Sequence, residues 1–264
     1  MTRVAAFFDL DKTIIAKSST LAFSKPFQAG GLISRKALLR SAYSQFVYVV
    51  GGADHDQMEK MRKFLSELVT GWDVATVKEI VADTLHNIVD PLVYDEAVEL
   101  MEEHKAAGHD VVIVSASGTE VVEPIGEMLG ADHVVATQMK IEDGRYTGEI
   151  ELYAYAAEKA RAVQALAARF GYDLDRCYAY SDSVTDEPML AEVGHPFAVN
   201  PDKDLRKIAK ERDWDVLVFN KPVTLRSRVL NPSTPTLAAL AVGGAMAIAG
   251  GVIWAGARRR RLAL

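Results

Sequence analysis

Cysteine is almost missing from this chain: Cys177 stands alone among 264 residues. One thiol closes no intramolecular disulfide and builds no cysteine-rich zinc site, which fits a reducing compartment. Basic charge is in deficit too, with 30 Lys and Arg against 36 Asp and Glu and a net charge of −6. A chain of that sign lacks the basic surface that a phosphate backbone demands, so nucleic acid is not expected as a partner. The first apolar run, positions 4–8, is cut by Asp9 and Asp11 too early to serve as an export signal. No long uncharged stretch appears until position 236.

What is present starts at that first run. Val4-Ala5-Ala6-Phe7-Phe8 leads into Asp9-Leu10-Asp11-Lys12-Thr13, the pattern of a buried strand that ends by presenting acid at its C-terminal edge. In open α/β sheets that edge is where ligands bind. Alternation puts Asp9 and Asp11 on one side and returns Leu10 to the core. Two carboxylates held together call for a cation, for a retained proton, or for both. Taken alone, the pair also fits a solvated strand-to-loop junction.

The pattern from about 15 to 90 is helical, with a Gly30-Gly31 break and Asp73 placed to cap a helix over 74–88. After Pro91, helix and strand alternate. A helix over 95–107 is stopped by Gly108, and a β-branched strand over 110–114 follows. The pattern continues with a helix over 121–129, a short strand over 134–136, a hairpin over 139–150 turning at Asp143-Gly144, and a helix from Lys159 to about 170. Strands over 177–180, 197–199 and 216–218 and a short helix over 188–193 complete it. Repeated β-α units with a helical insertion after the first strand predict a doubly wound, mostly parallel α/β core. The expected division is a core of 1–16 and 90–220, a helical cap of 17–89, and a linker of 221–235.

The polar signals recur at the expected strand ends. Ser115-Ala116-Ser117-Gly118 follows one strand, and its hydroxyls and amides can cradle an anion. Ser181-Asp182-Ser183-Val184-Thr185-Asp186 follows another, and Lys159 opens a helix where its charge can neutralise an anion. Singly, each fits a turn, a cap or a solvated face.

Together and in this order, Asp9-Leu10-Asp11-Lys12-Thr13, Ser115, Lys159 and Asp182 with Asp186 resemble the haloacid dehalogenase superfamily of phosphatases. The helical insertion and the 139–150 hairpin are similar to the branch that includes phosphoserine phosphatase. The resemblance implies a Rossmann-like core, one Mg²⁺, and a phosphomonoester substrate whose phosphoryl group passes to Asp9. It further implies Asp11 as general acid and then base, with its backbone carbonyl on the metal. Asp182 would be the second carboxylate ligand and Asp186 would complete or support the shell. Ser115, Ala116, Lys159 and Thr13 would hold the phosphoryl oxygens. Two departures stand out: Ser181 precedes Asp182 where the family usually has glycine, and Ser18 occupies the place of the glutamate that holds the ammonium of phosphoserine. Arg62 is a cap residue able to face a substrate carboxylate or to sit on a solvated helix face.

Beyond Asn231-Pro232-Ser233-Thr234-Pro235, residues 236–257 carry no charge, and Arg258 to Arg261 open a basic tail over 258–264. That length predicts a single membrane-spanning helix, with the catalytic domain on the cytoplasmic side. An anchor raises effective concentration towards a substrate in the bilayer, so a lipid-derived phosphate is expected beside a small soluble one. A membrane-tethered scaffold without activity is the reading of another class, and its expected mark is loss of the nucleophile or of the metal ligands. Oligomeric state is not legible.

Overall fold

The computed structural model describes residues 2–33, 63 and 66–220. A seven-stranded sheet organises it, in the order β4-β3-β2-β1-β5-β6-β7. Strand β1 (Ala5–Phe8) is central, with β2 (Asp110–Gly118) and β5 (Tyr178–Ser181) parallel on either side. β3 (His133–Glu142) extends one flank in parallel, and β6 (His195–Val199) and β7 (Asp215–Leu217) extend the other. Only β4 (Arg145–Leu152) runs antiparallel, against β3.

The alternation along β1 explains why both faces are covered. Ala6 and Phe8 join one apolar cluster with Ile113, Ile125, Tyr180 and Phe197, while Ala5 and Phe7 join a second with Val112, Val114, Val163 and Leu205. A central parallel strand buried on both faces reads as an unbroken apolar run, which is what positions 4–8 are.

Within the stretch expected as a cap, the described helices are α1 (Ser19–Ala22), α2 (Ser24–Ala29) and α3 (Val74–Val89). Asp73 caps α3 by accepting from the Thr76 amide at 2.9 Å. In the core, α4 (Asp95–Ala106), α5 (Thr119–Leu129), α6 (Ala157–Phe170), the short α7 (Glu187–Ala191) and α8 (Lys203–Glu211) link the strands.

The fold differs from the sequence reading at several elements, and the strand expected over 110–114 runs on to Gly118, so Ser115 to Gly118 lie within β2 and do not follow it. The expected short strand over 134–136 and the first arm of the hairpin are one continuous strand, β3, so the hairpin is the edge of the main sheet. Helix α6 begins two residues before Lys159, after Ala156 at φ +50°. Helix α8 was not expected, because its apolar residues are outnumbered by charged ones and only Leu205 and Ala209 are buried. The expected linker, span and tail lie outside the described residues. Among the described residues no helix is long and apolar enough to cross a membrane.

Candidate active site

Three parallel strands, β1, β2 and β5, lie side by side, and the polar residues come from their C-terminal parts, from the loops that follow β1 and β5, and from the first turn of α6. Asp9 follows Phe8, and its amide donates to the Tyr180 carbonyl at 2.9 Å, tying the loop after β1 to the end of β5. Lys12 takes a left-handed conformation at φ +61°, which turns the chain sharply just after Asp11. A side-chain-bearing residue held there costs about 1 kcal/mol or more, a strain that clusters at functional sites.

Lys159 is the geometric centre. Its ammonium lies 2.6 Å from Asp9 Oδ1 and 2.7 Å from Asp186 Oδ2, and all three residues are buried. Ser181 donates to the same Asp186 oxygen at 2.7 Å. Burial pushes the Lys159 ammonium down, but Asp186 and Asp9 outweigh it and hold it above the usual lysine range, so the lysine keeps its charge. Asp9 is displaced upward, chiefly by burial and further by Asp186 and Asp182, with Lys159 pulling the other way. Asp182 is pushed up to about 6 by burial, with Asp186 and Asp202 adding to it and Lys12 opposing at 3.7 Å. The buried Lys159 ammonium and the exposed Lys12 ammonium do not neutralise three buried acids, and the site is short of positive charge.

That shortfall bears on a metal. Among the described residues no group of three His, Cys, Asp or Glu is arranged to hold one. A hard divalent cation of the Mg²⁺ type needs only one or two carboxylates, since waters and a substrate phosphate complete its octahedron. Asp9 and Asp182 supply all-oxygen ligands and the uncompensated charge, so the donor set fits. Asp186, expected at the metal, has one oxygen committed to Lys159 and Ser181.

The remaining expected residues divide. Asp11 accepts from the Ser19 amide at 2.8 Å and from the Ser117 hydroxyl at 3.4 Å, and burial raises its carboxyl above the usual range, with Ser19, Lys159 and Ser18 pulling the other way. Ser115 is buried at the end of β2, just before an irregularity in the β2-β3 register. The Ala116 carbonyl accepts from Thr137 Oγ1 at 2.8 Å, which fixes that peptide. Thr13 is fully buried, and its hydroxyl meets no protein partner among the described residues. Arg62 lies outside them. Ser19 and the salt-bridging Lys12 were given no role from sequence, and Ser117 was read as part of an anion cradle, not as a partner of Asp11. The Ser-Ala-Ser spacing after a strand was the available signal for Ser117.

Beneath the loop after β1 the sheet is braced by aromatics: Phe8 stacks on Tyr180 at 4.4 Å and Tyr180 on Phe197 at 5.0 Å. His104 from α4 places Nε2 2.8 Å from the Tyr180 hydroxyl and Nδ1 3.0 Å from His109 Nδ1. Burial, and then His109, lower its pKa to about 3. An unfolded histidine binds a proton below about pH 6.5, whereas this one stays neutral in the fold until about pH 3. Stability from this group is therefore full above pH 6.5 and falls as the solution is acidified, by up to about 1.4 kcal/mol per pH unit. Urea unfolding at pH 7.5, 6.0 and 5.0 should show that slope, and His104→Gln should be shallower by about one proton. Equal slopes would place the pH dependence elsewhere.

Compared with known proteins, residues 6–191 match the haloacid dehalogenase-like hydrolase model. The chain is 61% identical over 264 residues to an "inhibition of morphological differentiation" protein of Streptomyces azureus, covering 98% of this chain and 95% of the relative. It is 57% identical to a probable phosphatase of Mycobacterium tuberculosis (95% and 88% covered) and 34% identical to a phosphoserine phosphatase of the same organism (92% and 79% covered). Among solved structures, a Bordetella pertussis protein of unknown function is 30% identical and superposes with a TM-score of 0.72, covering 82% of this chain and 99% of that one.

Proposed function

Because this chain belongs to the haloacid dehalogenase-like hydrolases and is a phosphatase related to phosphoserine phosphatases, we propose that it hydrolyses a phosphomonoester through an aspartyl-phosphate on Asp9. The observation that carries this reading is the buried Lys159 ammonium bridging Asp9 and Asp186 at the end of β1, next to the strand β2 that carries the buried Ser115. A carboxylate oxygen held next to a cation and a hydroxyl-lined loop is a nucleophile placed where phosphoryl charge is stabilised. In this reading Asp9 attacks phosphorus, and Asp11 gives its proton to the departing oxygen. Asp11 then takes a proton from the water that cleaves the acyl phosphate. Burial of Asp11 favours its protonated form, as the first of those steps requires. Ser115, the Ala116 amide and Lys159 hold the phosphoryl oxygens.

Asp9, Asp182 and the Asp11 carbonyl would hold Mg²⁺, which supplies charge neutralisation for the phosphoryl group when bound. The substrate is a lipid-derived or small-metabolite phosphate. Phosphoserine is the second reading, favoured by the 34% identical relative of that name, although Ser18 offers no carboxylate for its ammonium. Residues 236–257 are read as a membrane anchor from sequence alone, with the catalytic domain cytoplasmic.

Phosphate release by detergent-solubilised full-length protein tests the function, with phosphoserine, glycerol phosphate, sugar phosphates and lysophosphatidic acid as substrates. Turnover of at least one ester that needs Mg²⁺ and stops on chelation is expected. Turnover indifferent to chelation would remove the metal from the proposal, and silence on every ester would return the scaffold reading. Preference for the lysophospholipid over the soluble esters would select the lipid-derived substrate.

A further inference from the structure

Ser117 is two residues from Ser115, and its two polar groups serve different neighbours. Its amide donates to Ser115 Oγ at 3.2 Å. Because that contact occupies an acceptor position of Ser115, the Ser115 proton is directed elsewhere. Its hydroxyl lies 3.4 Å from Asp11 Oδ2, 2.8 Å from Ser19 Oγ and 3.4 Å from Thr20 Oγ1. If Ser117 donates to the carboxylate, its oxygen accepts from Ser19 or Thr20, so the hydroxyls at the start of α1 are joined through Ser117 to Asp11. The Ser19 amide secures the other oxygen, Oδ1, at 2.8 Å. Ser19 is fully buried and Ser117 nearly so. A buried hydroxyl pair of this kind keeps its geometry because solvent is not there to replace either partner.

We propose that Ser117, supported by Ser19, is a positioning residue that aims the Asp11 carboxyl at the leaving oxygen and joins it to the phosphoryl-holding loop. The proposal rests on the phosphatase reading above. It makes the first turn of the cap part of the acid's support, since Ser19 contributes both an amide and a hydroxyl. The departing group takes its proton from Asp11 as the P–O bond breaks, and Ser117 neither gains nor loses one overall.

The dependence on leaving group separates this role from simple packing. An alkyl phosphate leaves as a strongly basic alkoxide and needs the acid, whereas p-nitrophenolate leaves with little help. General acid catalysis contributes about 10²- to 10⁴-fold, and misplacement of an acid forfeits part of it. Ser117→Ala, which keeps the amide, should lower kcat on the best alkyl phosphate of the panel about 10- to 100-fold. KM should change less than about threefold, and kcat on p-nitrophenyl phosphate should stay within about threefold of wild type. Ser117→Thr should restore most of the alkyl rate, and Ser19→Ala should fall between. Thermal melting of each variant shows whether it is folded. Equal losses on both esters in folded variants, or no loss on either, would overturn the proposal. Wild-type rates from Asp9→Asn on both esters would overturn the reading beneath it instead.

Discussion

Asp9→Asn should abolish phosphate release, by on the order of a thousandfold or more, while leaving the protein folded and, without added metal, at least as stable as wild type near pH 8. The loss follows from chemistry: an amide oxygen of the same shape at the same place does not form the acyl phosphate. The stability result follows from charge. Asp9 sits among Asp186 and Asp182 with one shared ammonium, and burial raises its pKa above that of the unfolded chain. A carboxyl whose folded pKa is raised contributes most in acid, and the contribution is lost as pH rises from the unfolded value through the folded one. Asparagine mimics the protonated form at every pH, so the variant should not show that decline. Added Mg²⁺ should raise the melting temperature of wild type more than that of Asp9→Asn, because a cation relieves a shortfall that the variant has already reduced. Melting curves at pH 5 and 8, with and without Mg²⁺, check this. A variant that melts lower at both pH values would refute the charge argument, and one that retains turnover would refute Asp9 as nucleophile.

The residues in that argument were legible because each follows a strand with a strong apolar signal. Asp9, Ser115 and Asp182 announce themselves as polarity directly after runs that belong in a parallel sheet, and sheet topology brings such ends together. Lys159 was legible as a helix-opening cation able to neutralise an anion, but its burial was not, since by composition it is one more lysine on an amphipathic helix. The hydroxyl chain from Ser19 to Asp11 was not legible, since its partners are 98 residues apart and serine reads as turn chemistry in both places. His104 was hidden for a related reason. It lies on a mostly polar helix, and its partner Tyr180 is supplied by a strand 76 residues away. Helix α8 shows the limit of periodicity itself, because two buried residues suffice to dock it.

Lys159→Met is the substitution with the largest combined effect on activity and stability. Methionine fills the stem of the lysine but removes a buried cation from between two buried carboxylates, 2.6 and 2.7 Å away. Breaking a buried pair by deleting one partner costs about 3–5 kcal/mol, because the charge left behind has neither water nor a counter-ion. A solvated helix lysine would cost less than about 0.5 kcal/mol, so the measurement separates the two descriptions of this residue. The penalty should depend on pH. Wild-type Lys159 is held above the usual lysine range by Asp186 and Asp9 against the effect of burial, and stays charged throughout the neutral range. In the variant, Asp9 escapes the repulsion of Asp186 only by taking up a proton, so the deficit should be largest near pH 8 and shrink towards pH 5. Turnover should fall about 10²- to 10³-fold, the usual effect of removing one charge-stabilising donor from a transition state. Urea unfolding of both proteins at the two pH values tests the electrostatic account directly. A deficit independent of pH would mean that the lysine acts through its packing, and the Asp9-Lys159-Asp186 bridge would then lose its place at the centre of the site.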